Sequence, residues 1–523
     1  MNILIELSLF GIAVIGVIAF GIWKARDEIH AGEAGASGYF LAGRGLTWWL
    51  VGFSLIAANI STEQFVGMSG SAANWLGMAV ASYEWMAAVT LVVVAFLFLP
   101  RFLRTGIYTI PEFLEYRFGV SARVAMALLT IFILVVVPTA SVIFSGAKFI
   151  SGYYAGMPIL GDLVTGCWLI GILAAAYVFV GGLKACAWTD LIWGAGLIVG
   201  GSVVMFLAFQ TLGETPAETL IATKVANSQA TVESLQGASA WDRLWLLNDG
   251  VDGEAVAVNG TNGSGGKLHM GRPIEDTDIP WSALLLGLWI PNFFYWGLNQ
   301  YIVQRTLGSK SLAEGQKGIV FAALLKLIIP FVVVIPGILA YNLFSSDLHL
   351  SAASKNVIAF EAAADTSTVT LEESVPALQP ELAARALERN AKLAGVAPGA
   401  VGDPIILAQK INVLSAQAIA ANPGITEGPR LVGYDYDAAF PVLVRNLLRE
   451  HWYLSWFVLA ALFGAVVSSL ASMLNSASTI ATMDLYAKVT KTTDGLKLVK
   501  AGRVFVVLFV LVAILVAPNF DNP

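Results

Sequence analysis

The sequence predicts an all-α polytopic membrane protein built on two inverted five-helix repeats, the second of them C-terminally truncated. Three observations carry this reading. The chain of 523 residues is 57% hydrophobic and only 13% charged, with mean hydropathy +0.74, well outside what soluble globular chains show. Its apolar residues gather into runs of about 20, the length that crosses a bilayer core as helix. Two of those runs are interrupted by small and polar residues at corresponding places, as in transporters made of inverted repeats.

Ten spans fall at roughly 4–23, 45–71, 76–100, 122–147, 160–181, 188–212, 281–304, 317–344, 452–484 and 501–518. In the first, only Glu6 breaks the apolar run, and the basic residues Lys24 and Arg26 come after it. A cleaved signal would place its charges before the run and small residues at a cleavage site, so this is a retained helix. The second runs through Ser54-Leu55-Ile56-Ala57-Ala58-Asn59-Ile60-Ser61-Thr62-Glu63-Gln64-Phe65, polar where a span should be most apolar. A backbone in lipid must satisfy its own hydrogen bonds, so such a break survives only where it lines a protected cavity. The third span carries Glu84. The sixth holds Gly196 and Gly200, a Gly-x-x-x-Gly pair read as helix packing. The seventh is interrupted at Trp289-Ile290-Pro291-Asn292, and the eighth carries Lys326 near its middle. Ser468, Ser472 and Asn475 of the ninth share one helical face by i, i+4, i+7 spacing.

Two long polar stretches separate these runs, 213–280 and 345–451. The first contains Asn259-Gly260-Thr261-Asn262-Gly263-Ser264-Gly265-Gly266, a loop by composition. The second holds Ala/Glu/Arg-rich runs such as Glu381 to Leu393, read as short surface helices. The expected organisation is a peripheral first span and loop (1–44), a first repeat (45–212), a loop (213–280) and an incomplete second repeat (281–523) that includes the loop 345–451.

Orientation follows from Lys and Arg in the short loops. One side carries Lys24, Arg26, Arg44, Arg101, Arg104, Arg117, Arg123, Lys184, Arg305, Lys310, Lys317, Lys488, Lys491, Lys497, Lys500 and Arg503; the other has little beyond Lys148. The first side is expected in the cytoplasm, which puts both long loops and the N-terminus outside. The interrupted second and seventh spans enter from opposite sides with four spans between them. On that count the second repeat needs an eleventh span, so the chain is expected to be part of a longer one.

Several function classes are excluded. There is no basic tract for nucleic acid. Cys167 and Cys186 are the only cysteines, and His30, His269, His349 and His451 all fall in loops or at span edges, which offers no transition-metal cluster. No nucleophile–base group suggests an enzyme, and no soluble output domain suggests a sensor.

Glu84 and Lys326 both lie near mid-bilayer, where an ionisable group costs roughly 2.5–3.5 kcal/mol. Two readings are open: a structural ion pair between helices, or polar anchors in a hydrated cavity. Gln64 and Asn292 at similar depth favour the cavity. With Tyr295 and Trp296 beside Asn292, the set offers the donors, acceptors and aromatic face that a sugar takes up. For the serine face of span nine, close helix packing and cation coordination are both open. Hydroxyls plus carbonyls freed near Ala57 and Ile60 would supply the oxygen ligands of a hard cation.

At these residues the chain resembles the bacterial sodium/sugar symporters of the solute:sodium symporter family, above all the sodium/galactose type. The matching stretches include Tyr39 to Arg44, Ala57 to Phe65, Ser82 to Met86, Gly106 to Phe113, Tyr295 to Tyr301, Gln316 to Phe321 and Ser468 to Ser476. The resemblance implies a leucine-transporter-like fold, Na+ as coupling ion, a small sugar as solute and a location in the cell (inner or plasma) membrane. It implies that Gln64, Glu84, Asn292 and Lys326 bind sugar, and that Tyr295 stacks on the sugar and closes an inner gate with Asn59, with Trp296 beside it. Met68 and Tyr83 match an outer gate. The carbonyls of Ala57, Ile60 and Ala465 and the hydroxyls of Ser468 and Ser469 match a sodium site, and Asp190 matches a residue on the sodium exit route. Ala87 stands where the galactose type has a serine near the sugar. Symport of another small solute (an inositol, sialic acid, a carboxylate or an amino acid) and a passive channel are the alternatives.

Overall fold

The computed structural model describes residues 3–30, 35–61, 63–154, 157–159, 161–225, 228–250, 255–258, 261–264, 266–274, 276, 278–399, 401–449 and 451–521. Span one is the helix Ile3–His30. Span two is Trp48–Asn59, a break at Ile60 and Ser61, then a π-helical turn Gln64–Met68 running into Ser69–Ala73. Span three is Gly77–Thr105 and span four Val120–Ser151. Spans five and six form one apolar stretch, Leu163–Glu214, which folds back at Gly182. There φ is +55° and a Cβ would collide with the Tyr39 carbonyl, so only glycine fits. Span eight is Leu312–Ala362, nine is Trp452–Ile480 with a π-helical continuation Ala481–Tyr486, and ten is Gly495–Val516.

Proline is accommodated without ending a span. Pro138 sits in a π-helical turn, Val135–Thr139. The Thr139 hydroxyl donates to the Leu134 carbonyl at 2.6 Å there, which takes up a carbonyl that the distorted ladder exposes. Gly196 and Gly200 of span six let Ala461 of span nine approach to 3.5 and 3.7 Å of where their Cβ atoms would be, so the small-residue pair does serve close packing.

Span seven departs from the expectation. The helix runs uninterrupted through Trp289-Ile290-Pro291-Asn292, as Trp289–Gly297, and breaks at Leu298 and Asn299 before resuming as Gln300–Leu307. Pro291 falls just after a π-helical turn, Ala283–Gly287, whose wider ladder accommodates the missing N–H. Asn299 is extended (φ −74°, ψ 121°). Arg305 was counted above with the topogenic charges, yet it is fully buried. It belongs to the interior of span seven.

The long polar stretches are structured. Ala255–Val258 pairs antiparallel with Thr261–Ser264, so the segment read as loop holds two paired strands; Asn259 and Gly260 between them lie outside the described residues. In the second stretch, Pro380–Ala394 is the helix expected there. Pro404–Ala421 is apolar and long enough to resemble a span, but it packs in a separate small core through Ala408 and Ile411, against Leu382, Ala383 and Ala386. A two-residue parallel pairing of Thr370–Leu371 with Arg430–Leu431 closes that unit. Both stretches lie at one end of the helix bundle, called here the loop face; the other is the basic face.

Candidate functional site

The break in span two sets the geometry. In an unbroken helix the Ser61 N–H would bond the Ala57 carbonyl. Instead it donates to Gln64 Oε1 at 2.8 Å, and Gln64 Nε2 donates to the Asn59 carbonyl at 2.9 Å. The Gln64 amide thus closes the break on one side. The carbonyls of Ala57 and Ile60 turn to the other side, where the Ser469 hydroxyl of span nine lies 3.2 and 3.4 Å from them. Ala465 is buried one helical turn earlier. The Ser468 hydroxyl donates to Asp190 Oδ1 at 2.5 Å, which brings Asp190 of span six next to the same face of span nine.

On the other side of the break is a cavity of about 330 Å³ lined by Asn59, Gln64, Met68, Tyr83, Glu84, Ala87, Pro291, Asn292, Phe294, Tyr295, Trp296 and Lys326. All the residues assigned above to solute binding and gating face this one space; Pro291 and Phe294 are additions. Lys326 Nζ pairs with Glu84 Oε2 at 2.5 Å, also contacts Asn59 Oδ1, and sits 5.1 Å over the Trp296 ring. Both partners are buried, Lys326 completely and Glu84 to 4% exposure. Two charges withdrawn this far hold only as a pair with further hydrogen bonds.

The amides are partly committed. Asn59 Nδ2 donates to the Tyr295 hydroxyl at 2.8 Å, the Tyr295 and Tyr301 hydroxyls bond each other, and Asn292 Nδ2 donates back to the Leu288 carbonyl at 2.8 Å. A solute entering here exchanges existing hydrogen bonds for its own. Tyr295 and Trp296 meet edge to face, with centroids 5.0 Å apart, which leaves ring surface toward the cavity.

Arg305 and Ser54 escaped sequence reasoning. The Arg305 guanidinium donates to the Ser54 carbonyl at 3.1 Å and the Ser54 hydroxyl at 2.7 Å, contacts the Ser472 hydroxyl, and lies 3.4 Å from Asp190 Oδ2. The Ser54 hydroxyl also donates to Asp190. This network ties spans two, six, seven and nine together beside the Ala57–Ile60–Ser469 cluster. Its signal in the sequence was Arg305's place inside Tyr301-Ile302-Val303-Gln304-Arg305-Thr306-Leu307, a run on the same span as Asn292. A second missed pair lies at the basic face, where Arg123 Nε meets Asp484 Oδ1 at 2.6 Å.

Comparisons with known proteins bear on this arrangement. A family model described as the sodium:solute symporter family matches residues 39–387 and 405–523. A sodium/glucose cotransporter of Vibrio parahaemolyticus is 35% identical over 517 residues, 98% of this chain and 75% of the relative. Human sodium/glucose cotransporter 4 is 27% identical over 518 residues, and this chain spans 61% of its length. A solved structure of a Na+-coupled sialic acid symporter, in a substrate-bound outward-open state, superposes with TM-score 0.58 at 18% identity, covering 99% of this chain and 81% of the other. That likeness shows the fold, which is leucine-transporter-like.

Proposed function

Because the chain belongs to the sodium:solute symporter family, and is an integral membrane protein that couples a solute to Na+, we propose that the solute is a hexose or a closely similar neutral polyol, taken up by alternating access. The observation that carries the sugar reading is the Glu84–Lys326 pair, set among the amides of Asn59, Gln64 and Asn292 and the Tyr295–Trp296 edge in one cavity. The pair is neutral overall, so the cavity offers donors and acceptors without an uncommitted cation. That suits hydroxyls and disfavours a carboxylate-bearing solute. A volume of about 330 Å³ falls at the small end of ligand pockets, about 300–1,000 Å³.

In this proposal sodium is held by the carbonyls of Ala57, Ile60 and Ala465 with the hydroxyl of Ser469, and it ties the broken second span to the ninth. The Ser468 hydroxyl gives its proton to Asp190 and keeps its lone pairs for the ion; Asp190 lies on the ion's way toward the basic face. Residues 45–212 and 281–523 act as the two repeats. The basic face lies in the cytoplasm, and the loops and N-terminus lie outside the cell membrane. One sodium ion crossing ~100 mV supplies about 2.3 kcal/mol, and a tenfold gradient ~1.4 kcal/mol. Together they sustain about a 500-fold solute accumulation at one-to-one coupling.

Uptake of labelled galactose and glucose into proteoliposomes tests the reading. Accumulation with an inward sodium gradient, absent with potassium and competed by hexoses but not by sialic acid or amino acids, is the expected result. Competition by sialic acid or an amino acid alone would replace the sugar, and non-saturating flux without sodium dependence would mean a channel. Ser469→Ala removes one oxygen from the proposed ion site. Its half-saturating sodium is expected to rise about tenfold, the worth of one hydrogen-bonding group facing a charge, with sugar affinity at saturating sodium unchanged. Equal loss of both in a sodium titration would count against the assignment.

A further inference from the structure

The loop-face half of the broken span, residues 63–73, ends at Ala73 with carbonyls that no following helical N–H can take. One basic side chain from the first long polar stretch takes the Ala73 carbonyl, and a second takes carbonyls of the turn that follows. Lys267 Nζ donates to the Ala73 carbonyl at 2.6 Å and lies 3.7 Å over the Tyr341 ring of span eight. Arg272 Nη2 donates to the carbonyls of Trp75 and Leu76 at 2.7 and 2.8 Å. The Lys267 carbonyl in turn accepts from Met78 N–H at 2.6 Å, packed against Gly77, whose φ of +54° and lack of a Cβ admit it. On the opposite side, Gly70 rests against the backbone of Tyr436 in the second long stretch.

We propose that Lys267 and Arg272 form a strap that seats the loop-face half of the broken span against span eight, and that this strap unseats whenever that half moves. Lys267 is a positioning residue in this scheme. Its ammonium is buried, and a backbone carbonyl is its hydrogen-bond acceptor. The ionisable group that faces it is Tyr341 from span eight, itself packed against Tyr434 and Tyr436 of the second stretch, and Arg272 follows on its own stretch; the nearby acids and histidine of these stretches are engaged elsewhere. Asp435 is taken by Lys355 and Ser351, and His269 faces Asp249. Among the described residues no carboxylate pairs with it; a desolvated ammonium so placed favours its neutral form, and burial pushes the Lys267 amine down from 10.5 to about 7. Released into water it regains its ordinary value, so the seated state binds fewer protons than the released one. Seating therefore strengthens as pH rises from about 7 toward 10.5, weakens as pH falls through that window, and is level below it.

Amide hydrogen exchange of the purified chain in lipid nanodiscs, corrected for the intrinsic pH dependence of exchange, tests this without sodium or sugar. Between pH 9 and pH 7, exchange across residues 69–79 is expected to quicken toward tenfold per unit, with residues 300–307 unaffected. Lys267→Met is expected to be level across that range. Lys267→Arg, charged throughout, is expected to exchange fast and level. Arg272→Gln is expected to raise exchange at every pH while keeping the slope. A level wild-type profile, or the same slope in Lys267→Met, would overturn the strap. Its relevance to transport rests on the symport reading. Loss of sodium-dependent uptake with the pH-dependent exchange intact would remove that reading and leave the strap standing.

Discussion

Lys326→Met is expected to abolish sugar binding while leaving sodium binding measurable. The substitution leaves Glu84 buried to 4% exposure without its cation, and it removes the contacts to Asn59 Oδ1 and the Trp296 face. Removing one partner of a buried pair costs about 3–5 kcal/mol, which is about 10²–10⁴-fold in an equilibrium constant. The solute loses its donor at the same time. Equilibrium binding of labelled sugar checks this, with sodium binding read separately by its effect on tryptophan fluorescence. Adding Glu84→Gln to Lys326→Met should recover thermal stability, because the stranded charge is gone, without recovering sugar binding. A purely structural pair would recover both. Retention of binding within threefold in the single variant would remove the cavity from the sugar path.

The second large effect is expected at Arg305. Arg305→Met strands the Asp190 carboxylate among the Ser54 and Ser468 hydroxyls at the junction of spans two, six, seven and nine. The expected loss is again about 3–5 kcal/mol of stability. Asp190→Asn in the same background should restore most of it, because the carboxamide keeps a hydrogen-bonding oxygen without the charge. A double-mutant cycle of unfolding midpoints measures the coupling. Additive losses would show that the two side chains are neighbours without being partners. The variants also separate two roles of Asp190: if the restored pair still lacks sodium-dependent uptake, the carboxylate serves the ion as well as the fold.

Much of this molecule was legible in its residues. The spans were, because hydrocarbon as a solvent penalises every polar group in proportion to its own transfer cost, a property of the local segment. The break at Ile60 was legible for the same reason, and so were Glu84 and Lys326 as residues that had to find something at mid-bilayer. The resemblance then gathered Asn59, Met68, Tyr83, Ala87, Asn292, Tyr295 and Trp296 into one expected site, and the fold places them around one cavity. The break in span seven was misplaced because Pro291 reads as an interruption, whereas it sits where a π-helical turn passes into the helix; the actual turn at Leu298 and Asn299 is marked by Gly297 and Asn299, a weaker signal than a proline.

Partnership was not legible. Arg305 looked like one more basic-face charge, and nothing near it in the chain points to Asp190, 115 positions away. Lys267 sat in a stretch that composition marks as loop, yet it is buried 194 positions from the carbonyl it caps. Ser468 was matched to an ion, and nothing in the chain pointed to Asp190, 278 positions away, as the acceptor of its hydroxyl proton. The division has a physical cause. Solvation free energy is fixed segment by segment, so residue content alone settles where the chain enters and leaves the bilayer. The partner of a buried charge depends on which distant segments the packing brings within about 3 Å, and that is settled when the helices assemble.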